Sequence, residues 1–172
     1  MMILRTTDNG TVRFNPNLYA NGKVCLSILG TWSGPGWSPV HTLASVLLSV
    51  LSLMNAAPYY NEPGFEEERK PGQSAQYNLI VRHETMRVAV VGVLENPTWA
   101  AEMDSKFLEA AKAAFLTNYD KLQAVCKENA HLNGQPMQDP FEERHRSFDF
   151  DDISKRAQVL KEKIENGSFA RK

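Results

Sequence analysis

The sequence predicts an α+β protein on three observations. Short extended pieces broken by turn signals fill the first thirty residues, a loop rich in Gly, Pro and Trp leads into an almost wholly apolar helical stretch, and amphipathic helical patterns occupy most of the rest. With 172 residues, 42% of them hydrophobic, the chain can build one domain with a sizeable core and hardly two.

The extended pieces are "MILRT" at 2–6 and "TVRF" at 11–14, separated by the turn signal "DNG" at 8–10. Asn15-Pro16-Asn17 cannot continue a regular strand, because proline donates no hydrogen bond and restricts Asn15, while both asparagines can serve the turn backbone with their side chains. A second turn, "ANGK", precedes "KVCLSIL", where alternation places Val24, Leu26 and Ile28 on one face and Cys25 and Ser27 on the other. Cys25 is therefore expected to face away from the core.

After "GTWSGPGWSP", Ser38 can cap a helix and Pro39 can take its first position. Leu43, Val46, Leu47, Val50, Leu51, Leu53 and Met54 cover most of that helix's circumference, so it is expected to be central and buried. A second helix is predicted from about Ser74 to Leu94, with Tyr77, Ile80, Val81, Val88 and Val91 inside. A third helical pattern runs from Trp99 to about Asn129, with one stripe of Met103, Phe107, Ala110 and Ala114 and another of Phe115, Tyr119, Leu122 and Cys126. An irregular connection then leads to a last amphipathic helix, capped by Asp at its start, with Ile153, Leu160 and Ile164 inside and Gly167 as its stop.

Nineteen basic residues against twenty acidic ones leave no basic field for a phosphate backbone, which disfavours nucleic acid as a partner. The longest apolar stretch, "VLLSVLSLM", is too short to span a bilayer, and the start shows no signal-peptide pattern, so neither membrane nor secretion is expected. A cytoplasmic chain, small enough for nuclear entry, is the default expectation. Two cysteines make no disulfide framework and no zinc spacing, and both are expected as free thiols. His41, His83, His131 and His145 show no ligand spacing either, and each is expected at the surface or in helix packing. The runs "FEEERK" and "DPFEERHR" are expected to be solvated rather than docking surfaces.

A cysteine thiolate can attack a carbonyl, but the oxygen under attack then needs a donor to hold its charge. Asn17, eight residues before Cys25, carries such a donor. Spacing alone leaves Cys25 open as a nucleophile or an ordinary small hydrophobe.

The wider stretch "VRFNPNLYANGKVCLSILGTW", followed by "WSPVHTLASVLLSVLSLM", resembles the catalytic segment of ubiquitin-conjugating enzymes, which write His-Pro-Asn, a Gly-x-x-Cys, then Trp-Ser-Pro before a buried helix. "NEPGFEEER", "RHETMRVAV" and "HLNGQPMQDPF" resemble an extended class within that family, so the likeness runs from about Met1 to Phe150. It implies a partial form of the family fold: remnant antiparallel strands and an active-site loop packed on the helix from Pro39, then several C-terminal helices. Residues 1–150 would be that domain with its extension, and 151–172 a helix and tail.

The resemblance implies that Cys25 receives ubiquitin, or a ubiquitin-like modifier, as a thioester from an activating enzyme and passes it to a lysine or a ligase. Asn17 would support the oxyanion or its loop, and Asn15, where most members have histidine, would brace the turn. Ser38 and Pro39 would lie on the loop shown to ligases, and Glu62, or as second choice Asn61, would orient or deprotonate the incoming lysine, the plainer reading of Glu62 being a solvated loop carboxylate. The chemistry implies no metal or organic cofactor, since ATP is consumed by the activating enzyme. Family members also carry a helix and first strands before the segment that opens here. Their absence is expected to weaken charging and to uncover Val46 and Val50. The alternative is an inactive shortened form that binds ubiquitin or ligases without carrying a thioester.

Overall fold

The computed structural model describes residues 7–141 and 146–169. Two compact units emerge: Met1–Arg82 with Gln138–Arg144, and His83–Met137 with His145–Lys172. "MILRT" lies outside the described residues.

In the first unit, Asp8, Asn9 and Gly10 all take positive φ, forming a tight turn in which the amides of Thr11 and Val12 donate to the Thr7 carbonyl. The expected strands do not form a ladder. Among the described residues of this unit, antiparallel pairing is confined to the isolated bridges Asn15 to Leu18 and Leu18 to Val24. The chain coils too tightly around Asn15-Pro16-Asn17 for longer pairing, and it enters a 3-10 turn at Ser27–Leu29. Leu18, Val24, Leu26 and Ile28 nonetheless form a core cluster with Val46, flanked by Phe14, Leu29, Val50 and Leu53.

Helix α1 spans Leu43–Ser52, four residues later than the Pro39 start that the sequence predicts. Thr42 caps it instead, accepting from the Ser45 amide while the Ser45 hydroxyl accepts from the Thr42 amide. Ser38 and Pro39 remain in the preceding loop. The helix is not buried all round: only the stripe of Val46, Val50 and Leu53 enters the core cluster, and Leu43, Leu47, Leu48, Leu51 and Met54 are each more than half exposed. Val46, expected to be uncovered, is buried.

Helix α2, Gln73–Glu84, is started by Glu68, whose carboxylate accepts from the amides of Gly72 and Ser74. Helical winding then widens to π geometry over Thr85–Gly92 and resumes as α3, Val93–Glu95. The predicted inner residues Tyr77, Ile80, Val88 and Val91 are buried, with Val81 partly so.

Asn96 caps α4, Pro97–Glu102, and Asp104 caps α5, Ser105–Asn129, so the single predicted third helix is two helices broken at Met103. Phe115, Leu122 and Cys126 are buried as expected, but Phe107, Ala110 and Ala114 are exposed. Leu108 is the buried residue near that end, one heptad before Phe115 and two before Leu122. Helix α6, Phe150–Glu165, is capped by Asp149 and packs on α5 through Ile153, Ala157 and Leu160. Cys126 is a core thiol: burial, aided by the charge of Asp151, pushes it up to about 11, so it stays protonated at neutral pH.

Candidate functional site

Proline at position 16 leaves the turn one amide short, and asparagine side chains complete it. The Asn17 amide donates to Asn15 Oδ1 at 3.0 Å, and the Leu18 amide to the Asn15 carbonyl at 2.8 Å. Asn15, fully buried, donates through Nδ2 to the Leu53 carbonyl at 3.0 Å, which fastens the turn to the end of α1. Asn61 Nδ2 reaches the same Asn15 Oδ1 at 3.5 Å and is itself held by Asn55. Asn15 thus makes the bracing bonds that the resemblance implies for its position.

Asn17 and Cys25 hold each other. The Cys25 amide donates to the Asn17 carbonyl at 2.9 Å, and Asn17 Nδ2 donates to the Cys25 carbonyl at 3.0 Å. The side-chain donor singled out from sequence therefore sits on the backbone of the candidate nucleophile, and both residues are buried. Alternation separates Cys25 and Ser27 from the cluster of Val24, Leu26 and Ile28 as expected, yet Cys25 is buried on its own side. Cys25 is a free thiol and 2% exposed.

Sequence reasoning missed Thr31. Its hydroxyl donates to the Val24 carbonyl at 2.7 Å and accepts from the Leu26 amide at 3.0 Å, so it buckles the two peptides that flank Cys25. A Thr shortly after a cysteine is too common to stand out. Gly34, within the "SGPG" loop, has φ +126, and a Cβ there would lie 3.1 Å from the Ser27 Cβ. Gly34→Ala is expected to destabilise the protein by about 1 kcal/mol or more, because the new methyl meets both a strained backbone and a neighbour. A thermal melt of the variant checks this, and an unchanged midpoint would show that the loop relaxes freely.

The Ser38-Pro39 loop is shaped by His41, whose Nδ1 accepts the Ser38 amide at 2.9 Å while its own amide returns to the Ser38 carbonyl. Pro39 and Trp37 are exposed, and the Trp37 ring meets His41 edge-on at 5.6 Å. Glu62 is not an isolated loop carboxylate. Its Oε2 accepts from Arg13 Nη2 at 2.8 Å, a pairing across 49 residues that no periodic pattern signals. Among the described residues no group of three or more His, Cys, Asp or Glu could hold a metal ion, and no helix is long and apolar enough to cross a membrane.

Residues 6–85, which carry the asparagine turn, Cys25, the loop and α1, match the family model for ubiquitin-conjugating enzyme. Through this segment the chain belongs to the ubiquitin-conjugating enzyme family, a family of transferases. Two relatives are more particular: ubiquitin-conjugating enzyme E2 Z of Xenopus tropicalis is 52% identical and that of Homo sapiens 51% identical, each over 94% of this chain. The chain spans 50% and 45% of those proteins, so about half the length of the relatives it matches. A mouse protein, the dual E2 ubiquitin-conjugating enzyme/E3 ubiquitin-protein ligase BIRC6, is 40% identical over 73% of this chain, which spans 3% of it.

Proposed function

We propose that the chain performs ubiquitin-type acyl transfer, with Cys25 carrying the C-terminal carboxyl of ubiquitin or a ubiquitin-like modifier as a thioester. The observation that carries this reading is the reciprocal bonding of Asn17 and Cys25, which keeps an amide donor beside the sulfur-bearing residue. In charging, the Cys25 thiolate attacks the activated acyl group delivered by an activating enzyme, and that enzyme's thiol leaves. In discharge, a lysine amine attacks the thioester carbonyl, and the Asn17 amide turns from the Cys25 carbonyl to the developing oxyanion or holds the loop that receives it. The amine loses a proton and the Cys25 thiol is released. No resident cofactor takes part in these steps, and ATP is consumed by the activating enzyme.

Ser38 and Pro39, on an exposed loop, are the proposed ligase contact. Glu62 can orient the incoming lysine only while it also holds Arg13. The cytoplasm, and the nucleus for a chain of this size, are the proposed compartments. The test is to incubate the chain with ubiquitin, ATP and both classical and non-classical activating enzymes, then to look for an adduct that thiol reductant removes and that maps to Cys25 by mass spectrometry. Such an adduct supports the reading. Ubiquitin binding without an adduct would favour the inactive binding form instead.

A further inference from the structure

We propose that Arg13 is a positioning residue for this acyl transfer, a step that rests on the reading just given. Its Nη2 donates to the Pro16 carbonyl at 2.6 Å and to Glu62 Oε2 at 2.8 Å. The Pro16 carbonyl belongs to the same rigid peptide plane as the Asn17 amide, which donates to Asn15 Oδ1 at 3.0 Å. That plane is therefore clamped at both edges, by a cation on one side and an asparagine on the other. Its orientation sets where Asn17, and with it the donor on Cys25, can point.

Arg13 is itself fixed by what surrounds it. The guanidinium carbon lies 4.5 Å from the Tyr19 ring centroid and 5.6 Å from that of Phe141. Phe141 also packs against Tyr59, Phe65 and Tyr77, at 5.4, 4.9 and 4.9 Å between centroids. An aromatic residue far downstream in sequence thus seats the cation that holds the asparagine turn. The Arg13 side chain is 9% exposed, and its Nε has no hydrogen-bond partner among the described residues. Stability alone does not favour a largely buried cation with an unused donor, whereas a guanidinium seated against two rings holds its Nη2 in place between the Pro16 carbonyl and Glu62.

The experiment is single-turnover discharge of the thioester-loaded chain to free lysine, after the activating enzyme is quenched. The variants are Arg13→Lys, Arg13→Ala, Glu62→Gln and Phe141→Leu, with thermal midpoints measured on each. Arg13→Ala is expected to slow discharge at saturating lysine by about 10–100-fold, with the half-saturating lysine concentration unchanged, as a misplaced donor would. Methylguanidine at low millimolar concentration should restore part of the rate in Arg13→Ala and none in Asn17→Ala. Arg13→Lys and Phe141→Leu, which preserve most of the packing, should fall between. Glu62→Gln should slow discharge equally at every pH, and combined with Arg13→Lys it should add little.

Rates at wild-type level in the Arg13 variants would overturn the proposal. So would losses that only follow the melting midpoint and that methylguanidine does not relieve. A pH limb lost in Glu62→Gln with Arg13→Lys unaffected would place the chemistry on Glu62 and overturn it too. Failure of the wild-type chain to load would instead remove the acyl-transfer reading, and this proposal with it.

Discussion

Cys25→Ser is expected to abolish the reductant-sensitive ubiquitin adduct, and Asn17→Ala to leave charging measurable while slowing discharge to lysine by about 10²–10³-fold, the usual cost of losing one oxyanion donor. The two variants separate carrying from transferring. Asn17 is buried and its amide satisfies the Cys25 carbonyl, so its removal also costs stability, about 1–3 kcal/mol for the carbonyl left without a donor. For that reason the rate is to be read in single-turnover discharge from preloaded protein, on the fraction shown to be folded. Asn17→Asp sharpens the point. It keeps the shape but sets an acceptor against the Cys25 carbonyl and against a developing oxyanion, and it is expected to be slower than Asn17→Ala. Equal discharge by wild type and both variants would mean that Asn17 only shapes the turn.

The part of this site legible in sequence was the part that lies close along the chain. Asn15, Asn17 and Cys25 fall within eleven residues, and the Asn-Pro-Asn turn announces itself through proline chemistry. The Arg13 to Glu62 pair and the Phe141 contact close over long loops, and no local pattern encodes them. Alternation along "KVCLSIL" sorts Val24, Leu26 and Ile28 into the core cluster and leaves Cys25 out of it, but it carries no information on what covers the opposite face, where Cys25 is also buried. Helix α1 shows a related limit. Its apolar circumference is plain in the sequence, yet composition cannot say which stripe is covered, and only the Val46 side meets the core cluster. The length from Gln73 to Glu95 was readable from periodicity, but its π segment was not, since hydrophobic spacing tolerates one extra residue per turn.

Glu84→Gln is expected to destabilise the second unit by about 2–3 kcal/mol at neutral pH, the lower end for breaking a buried ion pair because its cationic partners are partly exposed. Glu84 is 5% exposed and gathers donors from three side chains: His83 Nδ1 at 2.9 Å, Arg87 through Nη2 at 2.6 Å and Nε at 3.2 Å, and Arg146 Nη1 at 3.3 Å. The tautomer of His83 follows from its other nitrogen, because Nε2 lies 3.0 Å from the Asp149 amide, which can only donate. Nδ1 therefore carries the hydrogen and donates it in a hydrogen bond to the Glu84 carboxylate. The pair ties the start of the π segment to the cap of α6. Burial alone would raise the Glu84 carboxyl, but hydrogen bonds from His83 and Arg87, with the Arg87 charge, outweigh it and hold the group below its ordinary value of 4.5. A carboxyl lowered in the folded state contributes stability above its unfolded value and loses it as pH falls through the folded one. Urea unfolding should therefore show the gap between wild type and Glu84→Gln wide at pH 7 and narrowing below about pH 4.5, as the wild-type carboxylate takes up its proton. A gap that stays constant with pH would assign the loss to packing around the side chain, and the charge of Glu84 would then contribute nothing to holding α6 in place.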